Sequence, residues 1–305
     1  MISIIGAGRV GSFSAFNILR MGIADITLVD VRDGLAAGEA FDLTQSSSAI
    51  EADGKINGTA KISDIEGSDL VIVTAGVPRE PGMSRTELLE HNTGIVSGLM
   101  TDVAKYAPSC KIMMVTNPVD VMTYLAYIKS GFERNRVFGM GGILDTLRYR
   151  SHIGLELNLS MEDIGGLVVG EHDGHMIPLV EYTTVSGIPL RRLLDEQTIA
   201  HIVERTRSRR SYASLKGGTV YAPAAAIAAM TEAVLRGRNQ VTTASVVPGG
   251  EYGLRDIAIG LPIVLGENGV ERILELPLDD ATMRSLTESA KIIKSAIEGI
   301  SLSPH

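Results

Sequence analysis

The 305-residue sequence predicts an α/β fold, a doubly wound parallel sheet in the first half followed by an α+β second half. Three observations carry this prediction. Short apolar runs alternate with helix-length stretches up to about residue 141, and a glycine-rich turn directly follows the first run. Beyond Gly141 the rhythm changes to longer helices and one stretch rich in β-branched residues. Strand–helix–strand alternation favours parallel strands joined by right-handed crossovers.

The elements follow in order. Residues 2–5 read as a strand, and Gly6-Ala7-Gly8-Arg9-Val10-Gly11 after them is a G-x-G-x-x-G turn. Such a turn brings the backbone close to a pyrophosphate, and the next helix points its N–H groups and positive dipole end at it. Phe13, Phe16 and Leu19 lie at helical spacing and are expected to pack back on the sheet. A strand over 25–29 ends at Asp30, where a carboxylate can accept hydrogen bonds from a ribose diol. Strand, turn, helix, strand and acid together predict a dinucleotide site. The charge of Asp30 would repel a 2′-phosphate, which favours NAD, while Arg32 can soften that preference by pairing with the phosphate of NADP.

Further strands are expected over 70–74, 111–116 and 137–138, with helices over 88–106 and 121–130. Ligands on such sheets bind beyond the carboxyl ends of the strands, so the segments after Ile5, Val29, Thr74 and Thr116 are the places to look. Helices are then expected over 145–154, 193–214, 223–236 and 280–299. Residues 242–263, broken by Pro248-Gly249-Gly250, read as antiparallel strands. The expected division is 1–141 and 142–305, with a shared interface where a substrate pocket commonly forms.

Composition narrows the function. The net charge is −8, from 36 acidic and 28 basic residues, and no basic tract is long enough to follow a phosphate backbone. Arg205, Arg207, Arg209 and Arg210 form the densest basic stretch, which reads as a solvated helix face or a subunit contact and not as a nucleic-acid site. Cys110 is the only cysteine, so no intrachain disulfide forms, and beside a buried strand it reads as inert packing. No apolar run approaches the roughly 20 residues a membrane span needs. The first strand begins at once, so a signal peptide is not expected and the chain is read as cytoplasmic.

Four more segments complete the pattern. They are Thr74-Ala75-Gly76-Val77-Pro78-Arg79-Glu80-Pro81-Gly82-Met83-Ser84-Arg85, Thr116-Asn117-Pro118-Val119-Asp120, Leu144-Asp145-Thr146-Leu147-Arg148 and Gly170-Glu171-His172-Asp173-Gly174-His175. With the N-terminal glycines, this set resembles the lactate/malate dehydrogenase family over essentially the whole chain, most closely its lactate-dehydrogenase-like malate enzymes. The resemblance implies a Rossmann domain for NAD and a substrate domain. It also implies a homotetramer or homodimer and a place in the tricarboxylic acid cycle.

It also implies roles. His172 would be the acid/base, taking the alcohol proton as hydride leaves and returning it in ketone reduction, with Asp145 fixing its tautomer. Arg148 would fork onto the substrate C1 carboxylate, although an i,i+3 ion pair with Asp145 is the plainer reading. Arg79 and Arg85 fall in a lid loop. Arg85 matches the residue that polarises the carbonyl, and Arg79 the one that selects the substrate. A cation at 79 suits the distal carboxylate of malate or oxaloacetate and would lie unpaired over lactate or pyruvate. Asn117 matches a contact to nicotinamide and substrate, Thr219 a hydroxyl lining the pocket, and Ala75, Gly76, Asn92 and Val115 further NAD contacts.

One departure stands out. The family usually has glycine then aspartate after the histidine, whereas here Asp173 precedes Gly174, which bears on the backbone φ and the tilt of the imidazole. No metal is expected at His172, Asp173 and His175, because hydride transfer to NAD needs none in this family. The competing readings are a lactate dehydrogenase or broader 2-keto-acid reductase and, from another class, a non-catalytic NAD-binding protein.

Overall fold

A computed structural model describes residues 1–78, 82–208 and 218–300. Six parallel strands open the chain: β1 (Ile2–Ile5), β2 (Ile26–Val29), β3 (Ile56–Thr59), β4 (Leu70–Val73), β5 (Lys111–Met114) and β6 (Val137–Gly139). They lie in the order β3-β2-β1-β4-β5-β6. Helices α1 (Arg9–Arg20), α2 (Leu35–Ser46), α3 (Arg85–Tyr106) and α4 (Val119–Ser130) cover the faces. Because both faces are covered, every residue of β1, β2 and β4 is buried, and the strands are apolar except for Ser3 and Thr27 instead of alternating. This is a doubly wound, Rossmann-type sheet whose order reverses between β1 and β4.

The second half comprises α5 (Gly142–Leu157), β7 (Ile164–Gly165), β8 (Val168–Gly170), β9 (Met176–Pro178), β10 (Thr184–Val185), β11 (Ile188–Pro189), α6 (Glu196–Arg207), α7 (Tyr221–Leu235), β12 (Gln240–Val246), β13 (Ile259–Gly266), β14 (Gly269–Ile273) and α8 (Asp280–Glu298). It continues the same sheet. β12 runs antiparallel to β6 through Ser245 opposite Gly139, and β13, β8 and β9 follow it, with β14 on β13. A small sheet of β11, β10 and β7 stands apart. A second apolar cluster around Tyr149, Ile153, Val168, Ile199 and Ile202 ties α5 to α6.

Several expectations need correction. Phe13 does not pack on the sheet. The buried residues of α1 are Gly11, Ser12, Ser14, Ala15, Ile18 and Leu19, whereas Phe13 is 39% exposed and edge-on to Tyr221. The helix expected over 193–214 is Glu196–Arg207, because the Asp195 side chain accepts from the Thr198 N–H and caps its start. Residues 209–214 of that expectation lie outside the described residues. The α3 helix begins at Arg85, where Ser84 and Glu87 form a reciprocal capping box. Gly142 opens α5 three residues earlier than expected. α2 and β3 had no counterpart in the pattern; β3 reads Ile-Asn-Gly-Thr, an edge strand with little apolar signal. Among the described residues, no helix is long and apolar enough to cross a membrane.

Cys110 is fully buried, and burial pushes its thiol up to about 12. A thiolate reagent at pH 8 should therefore leave the native chain unlabelled and modify one site per chain in guanidinium, read by intact mass. Native labelling at a rate near that of a free thiol would contradict the burial.

Candidate active site

The carboxyl ends of the parallel strands gather the predicted cofactor side. Gly6 follows β1 with φ +107°, a conformation open to glycine, and its N–H donates to Val29 O at 2.7 Å. A Cβ on Gly11 would run into the carbonyl oxygen of Gly6, so only glycine lets α1 start this close to the turn. No side chain caps α1, and Ala7 and Gly11 are buried while Gly8 and Val10 are half-buried and Arg9 is exposed. An uncapped helix start behind a glycine cradle fits a pyrophosphate.

Asp30 closes this side. Its Oδ2 accepts from the Ala7 N–H at 2.9 Å, tying the end of β2 to the glycine turn. Arg32 does not stand apart awaiting a phosphate. Its Nε and Nη2 reach Oδ1 and Oδ2 of Asp30, each at 3.0 Å, and its own N–H adds a third bond. This fork holds the Asp30 carboxyl below its ordinary range against the opposing effect of burial. Asp30 is 7% exposed and the Arg32 side chain 64%, so the pair keeps its anion inside and its cation at the surface.

Beyond β4, the Ala75 N–H returns to Ile5 O at 2.8 Å, and the Thr116 hydroxyl donates to Ala75 O at 2.6 Å. Val115, half-buried, continues β5 with its N–H on Val73 O at 2.9 Å. Asn92 is 1% exposed. Its Oδ1 accepts from Val77 at 2.8 Å, and its Nδ2 donates to Asn117 O at 2.7 Å. Asn92 thus staples the segment carrying Ala75 and Gly76 to the exposed Asn117.

The reacting side forms where β6 passes into α5. Asp145 is buried and divides its two oxygens. Oδ2 lies 2.6 Å from His172 Nδ1, and Oδ1 accepts from Arg148 Nη1 at 3.0 Å. The i,i+3 spacing puts Asp145 and Arg148 on one face, so the plainer ion pair is formed here. With Nδ1 committed to Asp145, Nε2 is the ring nitrogen that can exchange a proton with a substrate. Gly141 allows this approach: a Cβ there would sit 3.1 Å from His172 Cβ.

The Asp173–Gly174 exchange strains nothing. Neither residue has a positive φ, and the imidazole still meets Asp145. Thr219 lies half-buried just before α7. Arg85 is the first residue of α3, and Arg79 lies outside the described residues. Among the described residues no three His, Cys, Asp or Glu side chains gather as a metal site.

Two residues at this site had no role assigned from the sequence: Ser245, and Asp120 at the end of the Thr116–Asp120 segment. Asp120 accepts the His172 N–H at 2.7 Å and the Ser245 hydroxyl at 2.6 Å. An aspartate in the first turn of a helix reads as a complement to the helix dipole, and nothing in the spacing links 120, 172 and 245.

The chain is similar to known proteins over nearly its whole length. The family model described as lactate/malate dehydrogenase, NAD binding domain, matches residues 1–139, and that of the lactate/malate dehydrogenase α/β C-terminal domain matches 143–301. A malate dehydrogenase of Roseiflexus sp. strain RS-1 is 44% identical over 302 residues, 98% of each chain. The malate dehydrogenase structure from Aeropyrum pernix superposes with a TM-score of 0.96 at 36% identity, covering 99% of both chains. A lactate dehydrogenase from Cryptosporidium parvum, solved with lactic acid and nicotinamide adenine dinucleotide, gives 0.94 at 34% identity over 99% of this chain and 98% of that one.

The Asp30–Arg32 fork predicts how the chain chooses its dinucleotide. Replacing Asp30 by Ser should weaken NADH use by roughly 10- to 100-fold, the worth of charge-assisted hydrogen bonds, and raise NADPH use as Arg32 is released. The doubly substituted Asp30→Ser/Arg32→Ala chain should lose the NADPH gain. Steady-state kcat/KM for both cofactors reads this, and equal NADPH use in the single and double variants would refute it.

Proposed function

The chain belongs to the lactate/malate dehydrogenase family, an NAD-dependent oxidoreductase by that membership, and we propose that it interconverts malate and oxaloacetate. The observation that carries the reading is Asp145 holding His172 by the ring and Arg148 by one guanidinium nitrogen in a single buried cluster. A non-catalytic binder of NAD has no use for three ionisable groups packed so closely, since burying them costs several kcal/mol unless they work together.

NAD supplies the hydride acceptor. The Gly6–Gly11 turn and the start of α1 would hold its pyrophosphate, and Asp30 would hold its adenosine ribose. Ala75, Gly76 and Val115 would line its path, with Asn92 positioning Asn117 beside it. We assign the protein to two domains, residues 1–141 for the cofactor and 142–305 for the substrate.

His172 Nε2 takes the hydroxyl proton of malate during oxidation and returns it in reduction. Asp145 fixes the tautomer and stabilises the imidazolium. Arg148 forks onto the C1 carboxylate, a geometry that suits a guanidinium. Arg85 polarises the reacting carbonyl, and Arg79 pairs with the distal carboxylate. Thr219 lines the pocket. Under the same proposal the enzyme is cytoplasmic, works in the tricarboxylic acid cycle and assembles as a homotetramer or homodimer.

Following NADH absorbance with oxaloacetate and pyruvate in parallel tests the reading. The wild-type chain should turn over oxaloacetate strongly and pyruvate poorly. Arg79→Gln should lose oxaloacetate activity by at least about 100-fold, near the 3 kcal/mol of a lost buried charge pair, while pyruvate gains. His172→Asn should lower kcat by about 1,000-fold or more with NADH affinity retained. Comparable pyruvate activity in the wild type would move the assignment to a broader 2-keto-acid reductase.

A further inference from the structure

His172 is gripped by two aspartates, one on its ring and one on its main chain. Asp145 of α5 takes the ring. Asp120, the second residue of α4, takes the His172 N–H through Oδ2 at 2.7 Å and the Ser245 hydroxyl through Oδ1 at 2.6 Å. Asp120 is 4% exposed and Ser245 fully buried, and Ser245 sits opposite Gly139 where the two halves of the sheet join. One residue earlier, the Glu171 N–H donates to Ser289 Oγ of α8 at 2.6 Å. The loop bearing His172 is therefore anchored at two consecutive main-chain positions from two elements, α8 and α4, and β12 braces the second anchor through Ser245.

A neutral side chain could accept these same hydrogen bonds. The carboxylate is the costly choice, because burial pushes Asp120 up to about 6, with Glu171 adding to the rise and Ser245 and His172 opposing it. The folded value lies above the unfolded one near 3.8. The associated stability is thus present at low pH and lost as pH rises through about 6. At neutral pH the ionised Asp120 weakens the fold, so its value must lie in what it holds.

We propose that Asp120 is a positioning residue for the reaction, its carboxylate aimed by Ser245 and seating the main chain of His172 so that the ring meets Asp145 and the substrate in one orientation. This rests on the acid–base role of His172 proposed above. The charged groups around the seat are Glu171 in the same loop and Asp145 and Arg148 on α5, while β12 and α8 contribute the hydroxyls of Ser245 and Ser289.

The test uses Asp120→Ala, Asp120→Asn and Ser245→Ala in the full chain, with His172→Asn as reference. Asp120→Ala should lower kcat for oxaloacetate reduction roughly 10- to 100-fold with NADH affinity unchanged, as expected when a reacting group is misplaced by a fraction of an ångström to an ångström. Asp120→Asn should recover most of that loss, because its amide can accept from His172 and donate to Ser245. Both variants should move the alkaline limb of the reduction profile to lower pH, since an anion that favours the imidazolium is gone. Asp120→Asn should also melt no lower than wild type at pH 8.

Wild-type kcat and an unmoved limb in Asp120→Ala would overturn the proposal. So would a parallel fall of kcat, NADH affinity and melting temperature with the limb in place. If Asp120→Ala fails to fold, a shifted limb in Asp120→Asn with reduced kcat in Ser245→Ala upholds it, and wild-type behaviour in both overturns it. Full turnover by His172→Asn would instead remove the acid–base reading itself, whereas an inactive His172→Asn beside wild-type Asp120 variants would remove this inference alone.

Discussion

A carboxylate taken out of water needs a partner for each oxygen, and Asp145 meets that demand in a way that organises the whole site. Its Oδ2 goes to His172 and its Oδ1 to Arg148. Removing either partner would leave a buried charge half-compensated, which costs several kcal/mol. The histidine is 27 residues further along the chain. The segment that brings it back passes close to the start of α5, where a Cβ at position 141 would stand 3.1 Å from that of His172 and press it aside by a few tenths of an ångström. The ion pair with Arg148 and the orientation of the His172 ring thus share one buried carboxylate.

The sheet supplies the rigidity this arrangement needs. Its parallel half ends at β6, and the next strand, β12, lies antiparallel to it through Ser245 and Gly139. β13 then meets β8 through Gly260 and Gly170, immediately before Glu171 and His172. The dinucleotide side lies beyond the carboxyl ends of β1, β2, β4 and β5, and the reacting side lies at the seam itself. Hydride transfer requires both sides to be held within about an ångström. A continuous hydrogen-bonded sheet is a stiffer link between them than a loop between separately packed units.

Much of this was legible in the sequence, and the reasons are local. The Gly6–Gly11 turn and Asp30 are readable because a strand, a turn and a helix start in immediate succession leave few alternatives. β4 and β5 are readable because burial on both faces makes β4 and all of β5 after Lys111 apolar. By contrast, β3 is an edge strand with Asn57 and Gly58 at its centre, and α2 carries Phe41 outward, so neither shows a clean period. Phe13 misled because the buried stripe of α1 is made of small and aliphatic residues, which leaves its aromatic residue on the flank toward α7. The link between Asp120 and Ser245 was unreadable for a different reason. Their partnership joins residues 125 apart, and no periodicity encodes such a distance.

The two readings of Arg148, an ion pair within its helix and a fork for the substrate, are not rivals once its donors are counted. A guanidinium has five N–H groups in a fixed plane. The bond to Asp145 uses Nη1, and 27% of the side chain is exposed. Pinning one nitrogen to a buried carboxylate sets the plane of the whole group, so less rotational freedom is lost when a second carboxylate arrives. Arg32 shows the opposite design. Both Nε and Nη2 are spent on Asp30, and the carboxylate it satisfies is the one a ribose diol would address. Under the proposed function Arg148 serves substrate binding and Arg32 the choice of dinucleotide, and each placement accords with that division.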